Sequence, residues 1–207
     1  MSRRLGREVV LFAAGAALFE GSRVLARRKG IDPTEEAIFR AVNEAPDELT
    51  FPVRGVMQMG TFITVPIAAT VALLSGRREL AAAIGLGGTA AWVLAKQAKP
   101  LGGRPRPAVV LDAVRTRERI EGDLGWVSGH AAVATTIAAT TWVGGPRWLR
   151  SFLVVGATTT AYGRMYVGAH LPLDLVGGAG LGMMISAVVR RLLPAPSPSR
   201  GVPFEGE

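Results

Sequence analysis

Apolar residues fall along this chain in six long stretches separated by polar segments. Residues 9–19 (VVLFAAGAALF) open the series, with Glu20 and Arg23 interrupting an extension to Ala26. Residues 56–74 carry no charge, and neither do residues 80–95, which run into Lys96 and Lys99. Residues 129–145, 148–162 (extending to 169) and 173–189 complete the set. A membrane-crossing helix needs about 20 mostly apolar residues, and with polar ends able to snorkel these windows meet or approach that. The pattern predicts an all-α, polytopic membrane protein, a bundle of six transmembrane helices. The helix interiors are rich in Gly, Ala and Thr, which lets membrane helices approach closely.

Between the first two windows, residues 31–48 (IDPTEEAIFRAVNEAPDE) are acidic and amphipathic. Pro33 suits a first helical turn, Ile38, Ala41 and Val42 share one face, and the segment reads as a helix lying on the membrane surface. The basic residues at 3, 4 and 7 precede an apolar run, as in a signal peptide, but Arg27, Arg28 and Lys29 follow without a small-residue cleavage site. The window is therefore read as a retained helix. Residues 1–193 are expected to form one membrane-embedded domain, with a disordered Pro/Ser-rich tail over 194–207.

Composition narrows the classes. Hydrophobic residues make up 49% and charged residues 19%, where a soluble domain is nearer a quarter charged. Mean hydropathy is +0.30, so a disordered chain is excluded. The absence of Cys excludes disulfides, thiolate metal sites and a Cys nucleophile. A net charge of +8 could suggest nucleic acid, but the basic residues are scattered between apolar runs and only 6% of residues are aromatic. With the N-terminus inside, Arg77, Arg78, Arg147, Arg150, Arg190 and Arg191 obey the positive-inside rule. Arg27–Lys29 and the basic residues between 96 and 119 break it, which asks for another use of those charges.

Three polar clusters fall at helix ends expected to face the same side: KPLGGRPRP at 99–107, WVSGHA at 126–131 and GRMYVGAHLPLD at 163–174. Charge at membrane depth costs about 2.5–3.5 kcal/mol per residue on insertion scales and so marks function. Lys99 and Arg106 supply fixed positive charge, the latter as a planar fork suited to phosphate. Pro100, Pro105 and Pro107 are expected to keep a helix from absorbing them. Ser128 suits an N-cap, Gly129 opens the backbone N–H groups to an anion, and His130 lies in that first turn. Arg164 closes the fifth helix, Pro172 fits the first turn of the sixth, and Asp174 lies four residues beyond His170, within reach of its imidazole. Two imidazoles, one backed by a carboxylate, with three cations and a helix N-terminus describe phosphoryl transfer. His170 is the expected nucleophile and His130 the proton donor. Lys99, Arg106 and Arg164 neutralise phosphoryl oxygens. No carboxylate cluster suits Mg²⁺, so metal-independent chemistry without a cofactor is expected.

At these residues the chain resembles the type 2 phosphatidic acid phosphatase superfamily of membrane lipid phosphatases, whose signature is K-x6-R-P, P-S-G-H and S-R-x5-H-x3-D. Lys99 through Arg106-Pro107 fits the first element with its spacing intact, and Ser128-Gly129-His130 fits the second with Val127 in place of Pro. Arg164, His170 and Asp174 fit the third, with Gly163 in place of Ser. The resemblance implies the roles above, with phosphate contacts from Ser128 and the Gly129 amide. It also implies a lipid phosphate substrate: a polyprenyl phosphate or diphosphate, phosphatidylglycerol phosphate or phosphatidate. A bacterial inner membrane with the site on the extracytoplasmic face is expected. Gly163 is expected to remove a hydroxyl donor to phosphate.

Other features ask for less. Arg54, Lys96 and Arg115–Arg119 read as snorkelling anchors, and Trp126, Trp142 and Trp148 as interfacial anchors, with Tyr162 and Tyr166 in the same belt. Arg104 stands between a site residue and a headgroup contact. Two competing functions share the pocket: a lipid-phosphate carrier that lost hydrolysis, motivated by Gly163, and a phosphotransferase to a lipid or glycan acceptor. A monomer and a homodimer both fit, and no nucleic-acid partner is expected.

Overall fold

A computed structural model describes residues 2–120, 122–143 and 145–193, and the expected tail at 194–207 lies outside them. The elements are α1 (Ser2–Ala26), α2 (Pro33–Asn43), α3 (Thr50–Met57), α4 (Thr64–Leu74), α5 (Arg78–Gly102), α6 (Pro107–Val110), α7 (Gly129–Thr141), α8 (Arg147–Tyr166) and α9 (Pro172–Leu192). Among the described residues, the one β-type pairing is an isolated bridge between Pro105 and Leu124.

α7 lies at the centre, packed against α5, α8 and α9, while α9 packs α1 on its other side and α5 packs α4. Nearly all of α7 is buried, from Ala131 through Thr141, as a helix apolar all round should be. Small residues set the crossings: α1 and α9 meet at Gly15 and Gly180, where a β-carbon on Gly15 would stand 2.7 Å from the Gly180 carbonyl oxygen. The outer surface is apolar instead, with Val9, Val10, Ile67, Val71, Leu74, Phe152 and Val155 exposed. Such a continuous apolar exterior suits lipid rather than water, and the chain is an integral membrane protein.

Each of the six windows coincides with helix, but not as six equal spans. By length and composition, two helices among the described residues can cross a membrane, Leu5–Ala26 and Pro172–Leu192. A third arises if Asp47–Gly60 and Thr64–Leu74, bent by 65°, count as one span. The second window is therefore broken: α3 ends at Met57, a 3-10 turn covers Gln58–Gly60, and α4 starts at Thr64. α7 has 13 residues, about 20 Å of helix against a hydrocarbon core near 30 Å. α8 carries Arg147, Arg150 and Arg164.

The surface segment does form α2, capped by Asp32, whose Oδ1 accepts from the Thr34 amide at 2.9 Å. Its inner face is made by residues other than that apolar set. Glu35, Phe39 and Asn43 are buried, whereas Ile38 and Ala41 are exposed and Val42 only partly covered. The apolar count pointed outward because polar partners wait inside for Glu35 and Asn43.

Two belt assignments are also corrected. Trp126 is fully buried, donating from Nε1 to Ser22 Oγ at 3.1 Å. Tyr166 is fully buried beneath Arg117, and its hydroxyl donates to the Pro46 carbonyl at 2.8 Å. Arg117 is no anchor either: Nη1 donates to the Asn43 and Tyr166 carbonyls and Nη2 to that of Ala45, tying α2 to the end of α8. Trp142 and Trp148 are exposed, and Lys96 lies 3.5 Å above the Trp92 ring.

Candidate active site

The first cluster begins on the last turns of α5. Pro100 does not end that helix, contrary to the sequence expectation. It continues to Gly102, and Gly103 stops it in the left-handed region at φ 61°, where a residue without a β-carbon costs least. Lys99 is half-buried, and its Nζ donates to the Leu124 carbonyl at 2.8 Å and that of Gly125 at 3.3 Å. Beyond the turn the chain is pinned by the segment before α7. The Gly125 amide donates to the Arg104 carbonyl at 2.8 Å, and the Arg106 amide to that of Asp123 at 2.9 Å. Arg106 Nη1 donates to the Ala169 carbonyl at 2.9 Å and Nε to that of Gly122 at 2.6 Å. This contact carries the first cluster to the third.

Ser128 caps α7 as expected, its hydroxyl accepting from the Ala131 amide at 3.4 Å. The Ser128 amide donates to the Asp174 carbonyl at 3.0 Å, which joins the second cluster to the third. Gly129 opens the helix, and His130 follows within electrostatic reach of Arg164, His170 and Arg106.

The third cluster spans the turn from α8 to α9. Arg164 lies in the last turn of α8, buried, and ion-pairs with Glu118. Pro172 takes the first position of α9 and Asp174 the third, where its Oδ2 accepts from the Leu171 amide at 3.0 Å. His170 Nδ1 lies 3.3 Å from the same oxygen. A carboxylate can only accept, so the ring proton sits on Nδ1 and leaves Nε2 with its lone pair. Burial, followed by the charges of Arg164, Lys99 and Arg106, holds the imidazole well below the ordinary histidine value, opposed by a hydrogen bond to the Gly125 backbone. The ring is therefore neutral at pH 7, the state a nucleophile needs.

Two glycines set the closeness of these pieces. A β-carbon on Gly125 would stand 2.7 Å from Asp174 Oδ2 and 3.2 Å from the Pro105 carbonyl oxygen. Gly163 corrects the expectation of a lost phosphate donor: its open side faces α3, where a β-carbon would meet that of Met57 at 2.9 Å. The glycine is there for packing.

Arg104 is 4% exposed and so deeper than a headgroup contact. Its fork engages Glu35, Nη1 to Oε1 at 2.8 Å and Nη2 to Oε2 at 2.5 Å. Nη1 also stands 3.6 Å from Asp174 Oδ1. Glu35, Glu118, Asn43 and Gly125 were not among the residues expected from sequence. A signal for two existed, since Glu35, Phe39 and Asn43 recur at a spacing of four on one helical face. Among the described residues no three His, Asp or Glu side chains are grouped to hold a metal ion.

Residues 78–197 match the family model described as PAP2 superfamily. An undecaprenyl-diphosphatase of Sulfolobus acidocaldarius is 28% identical over 125 residues, covering 60% of this chain and 61% of that protein. A lipid A 4′-phosphatase of Bacteroides thetaiotaomicron is 39% identical over 90 residues, covering 41% and 40%. The matched segments thus span less than two thirds of either relative. The crystal structure of Aquifex aeolicus LpxE superposes with a TM-score of 0.67 at 26% identity, covering 75% of this chain and 93% of that one. A transmembrane PAP2 type phosphatidylglycerolphosphate phosphatase from Bacillus subtilis gives 0.71 at 19% identity, covering 86% and 94%, and so shares the fold.

Proposed function

Since the chain belongs to the PAP2 superfamily, we propose that it is a metal-independent lipid-phosphate phosphohydrolase working through a phosphohistidine. The observation that carries this reading is the neutral, carboxylate-backed His170 set among Arg164, Lys99 and Arg106. Nε2 of His170 attacks phosphorus, and the bond from phosphorus to the lipid or diphosphate oxygen breaks. His130 gives its proton to the departing oxygen. Lys99, Arg106 and Arg164, with Ser128 and the Gly129 amide, hold the phosphoryl oxygens as charge builds on them. Water then attacks phosphorus as His130 takes its proton, the bond to Nε2 of His170 breaks, and inorganic phosphate leaves. Glu118 must yield Arg164 to the incoming phosphate.

The domain is one membrane-embedded unit over residues 1–193, with α1, the bent α3–α4 pair, α5, α7, α8 and α9 as six passes. The site opens at the extracytoplasmic face of a bacterial inner membrane, an orientation supported by the basic residues at the other helix ends. The bilayer itself delivers the substrate. The relatives matched here act on an undecaprenyl diphosphate and on lipid A, so polyprenyl diphosphates and phosphates are the first class to try. The carrier alternative drew on Gly163, whose packing against Met57 removes its motive.

The test is phosphate release by purified protein in EDTA from polyprenyl phosphate, polyprenyl diphosphate, phosphatidylglycerol phosphate and phosphatidate, alone and with a lipid or glycan acceptor. Release from at least one lipid that vanishes in His170→Ala is expected. Full turnover in that variant would remove the nucleophile, and phosphate moving only to the acceptor would favour transfer over hydrolysis.

A further inference from the structure

Glu35 belongs to none of the three motifs and lies outside the segment, residues 78–197, that matches the family. It is nonetheless buried on the inner face of α2, and both its oxygens are taken by the Arg104 fork. Its Oε1 also accepts from the Leu173 amide at 2.9 Å. Asp174 accepts from the Leu171 amide two residues earlier. The two carboxylates therefore satisfy free amides at the start of α9, and one guanidinium contacts both.

Asp174 is completely enclosed, and an ionised carboxylate there must be compensated by a partner charge. Oδ2 is occupied by Leu171 and His170, whereas Oδ1 has no hydrogen-bond donor among the described residues. Arg104 Nη1, at 3.6 Å, is the arginine paired with it. That distance is longer than the 2.8 Å contact of the same nitrogen with Glu35. A guanidinium left to itself closes on a buried carboxylate in a two-pronged contact, which here would draw Oδ2 away from the imidazole. Glu35 occupies both prongs of the fork.

We propose that Glu35 and Arg104 are positioning residues for the nucleophile: Glu35 holds the guanidinium against the far oxygen of Asp174, so that the near oxygen stays on His170. The proposal rests on His170 as nucleophile. It assigns α2 a part in the chemistry, since the helix lying over the site sets the orientation of the ring through two ion pairs in series.

Two variants test it. Glu35→Gln keeps the shape and an acceptor for Leu173 but removes the charge, and Arg104→Lys keeps the charge but loses the fork. Each is measured for kcat and KM on the lipid that the wild type hydrolyses fastest, alongside thermal stability in detergent. Expected is a fall in kcat of about 10–100-fold, the scale for losing an orienting partner behind a functional histidine. KM should stay within about threefold, because neither residue touches substrate. Unchanged kcat in both variants would reduce the pair to a tether for α2. A raised KM with intact kcat would make Arg104 a substrate contact, and failure of both variants to fold would leave the pair purely structural. Each of these results overturns the proposal. A wild type that releases no phosphate from any lipid ends the functional reading and the proposal with it; an active wild type with unaffected variants ends the proposal alone.

Discussion

Gly163 of α8 and Met57 of α3 approach so closely that a β-carbon on the glycine would stand 2.9 Å from that of the methionine. Val53 Cγ1, one turn earlier on α3, would follow at 3.3 Å. One of the two residues that depart from the family motif is thus the point where α3 leans on the helix carrying Arg164. Gly163→Ser, which restores the motif, is expected to lower stability. Overpacking costs about 1–3 kcal/mol, against roughly 0.5 kcal/mol returned by helix propensity. Thermal unfolding in detergent measures this. A serine variant as stable as the wild type and more active would restore the lost-donor reading.

Gly125 stands between Asp174 and the Pro105–Arg106 backbone. Gly125→Ala has to push one of them aside, and backbone cannot swing away as a flexible side chain can. A fall in kcat of about a hundredfold is expected, the scale of a misplacement near 1 Å. Steady-state phosphate release checks it, and an alanine variant with wild-type kcat would show that the segment adjusts freely.

His130 and His170 should separate kinetically. Removal of a general acid costs about 10²–10⁴-fold, so His130→Ala should retain slow turnover, most of all on a diphosphate, whose leaving group needs a proton least. His170→Ala should show none above background. Equal residual rates for the two would argue that they do not divide the roles of nucleophile and acid.

The buried imidazole of His170 also links stability to pH. Its value in the folded protein lies well below the ordinary 6.5, so above that pH both folded and unfolded chains are neutral there and nothing is lost. As pH falls below 6.5 the unfolded chain takes up a proton that the folded one refuses, and stability declines toward the ring's own depressed value. Melting temperature between pH 7.5 and 5 should fall less in His170→Asn than in the wild type, and the acid limb of kcat/KM should lie below 6.5. An acid limb above 6.5 would contradict the neutral, enclosed ring.

Trp126 and Ser22 give a test away from the chemistry. The indole N–H has the Ser22 hydroxyl as its acceptor, and both residues are buried. Ser22→Ala should cost about 1–3 kcal/mol, the penalty for an unsatisfied buried donor. A melting temperature unchanged by the variant would place another acceptor there.

The chain by itself determined the helical class, the six apolar windows and the three clusters at their ends, because apolar period and the spacing of Arg164, His170 and Asp174 are local properties. Helix ends followed too: Ser128 before α7, Pro172 opening α9 and Pro33 opening α2 each act on neighbours within a turn. Tertiary structure alone decided what each buried polar residue meets. Glu35 and Asn43 look like solvent-facing positions until Arg104, 69 residues away from Glu35, and the Arg115 carbonyl arrive to satisfy them. Trp126 and Tyr166 look like interfacial rings until Ser22 and Pro46 supply acceptors inside. Burial of a polar group is affordable only where a partner stands ready, and those partners come from distant segments whose positions no local pattern records.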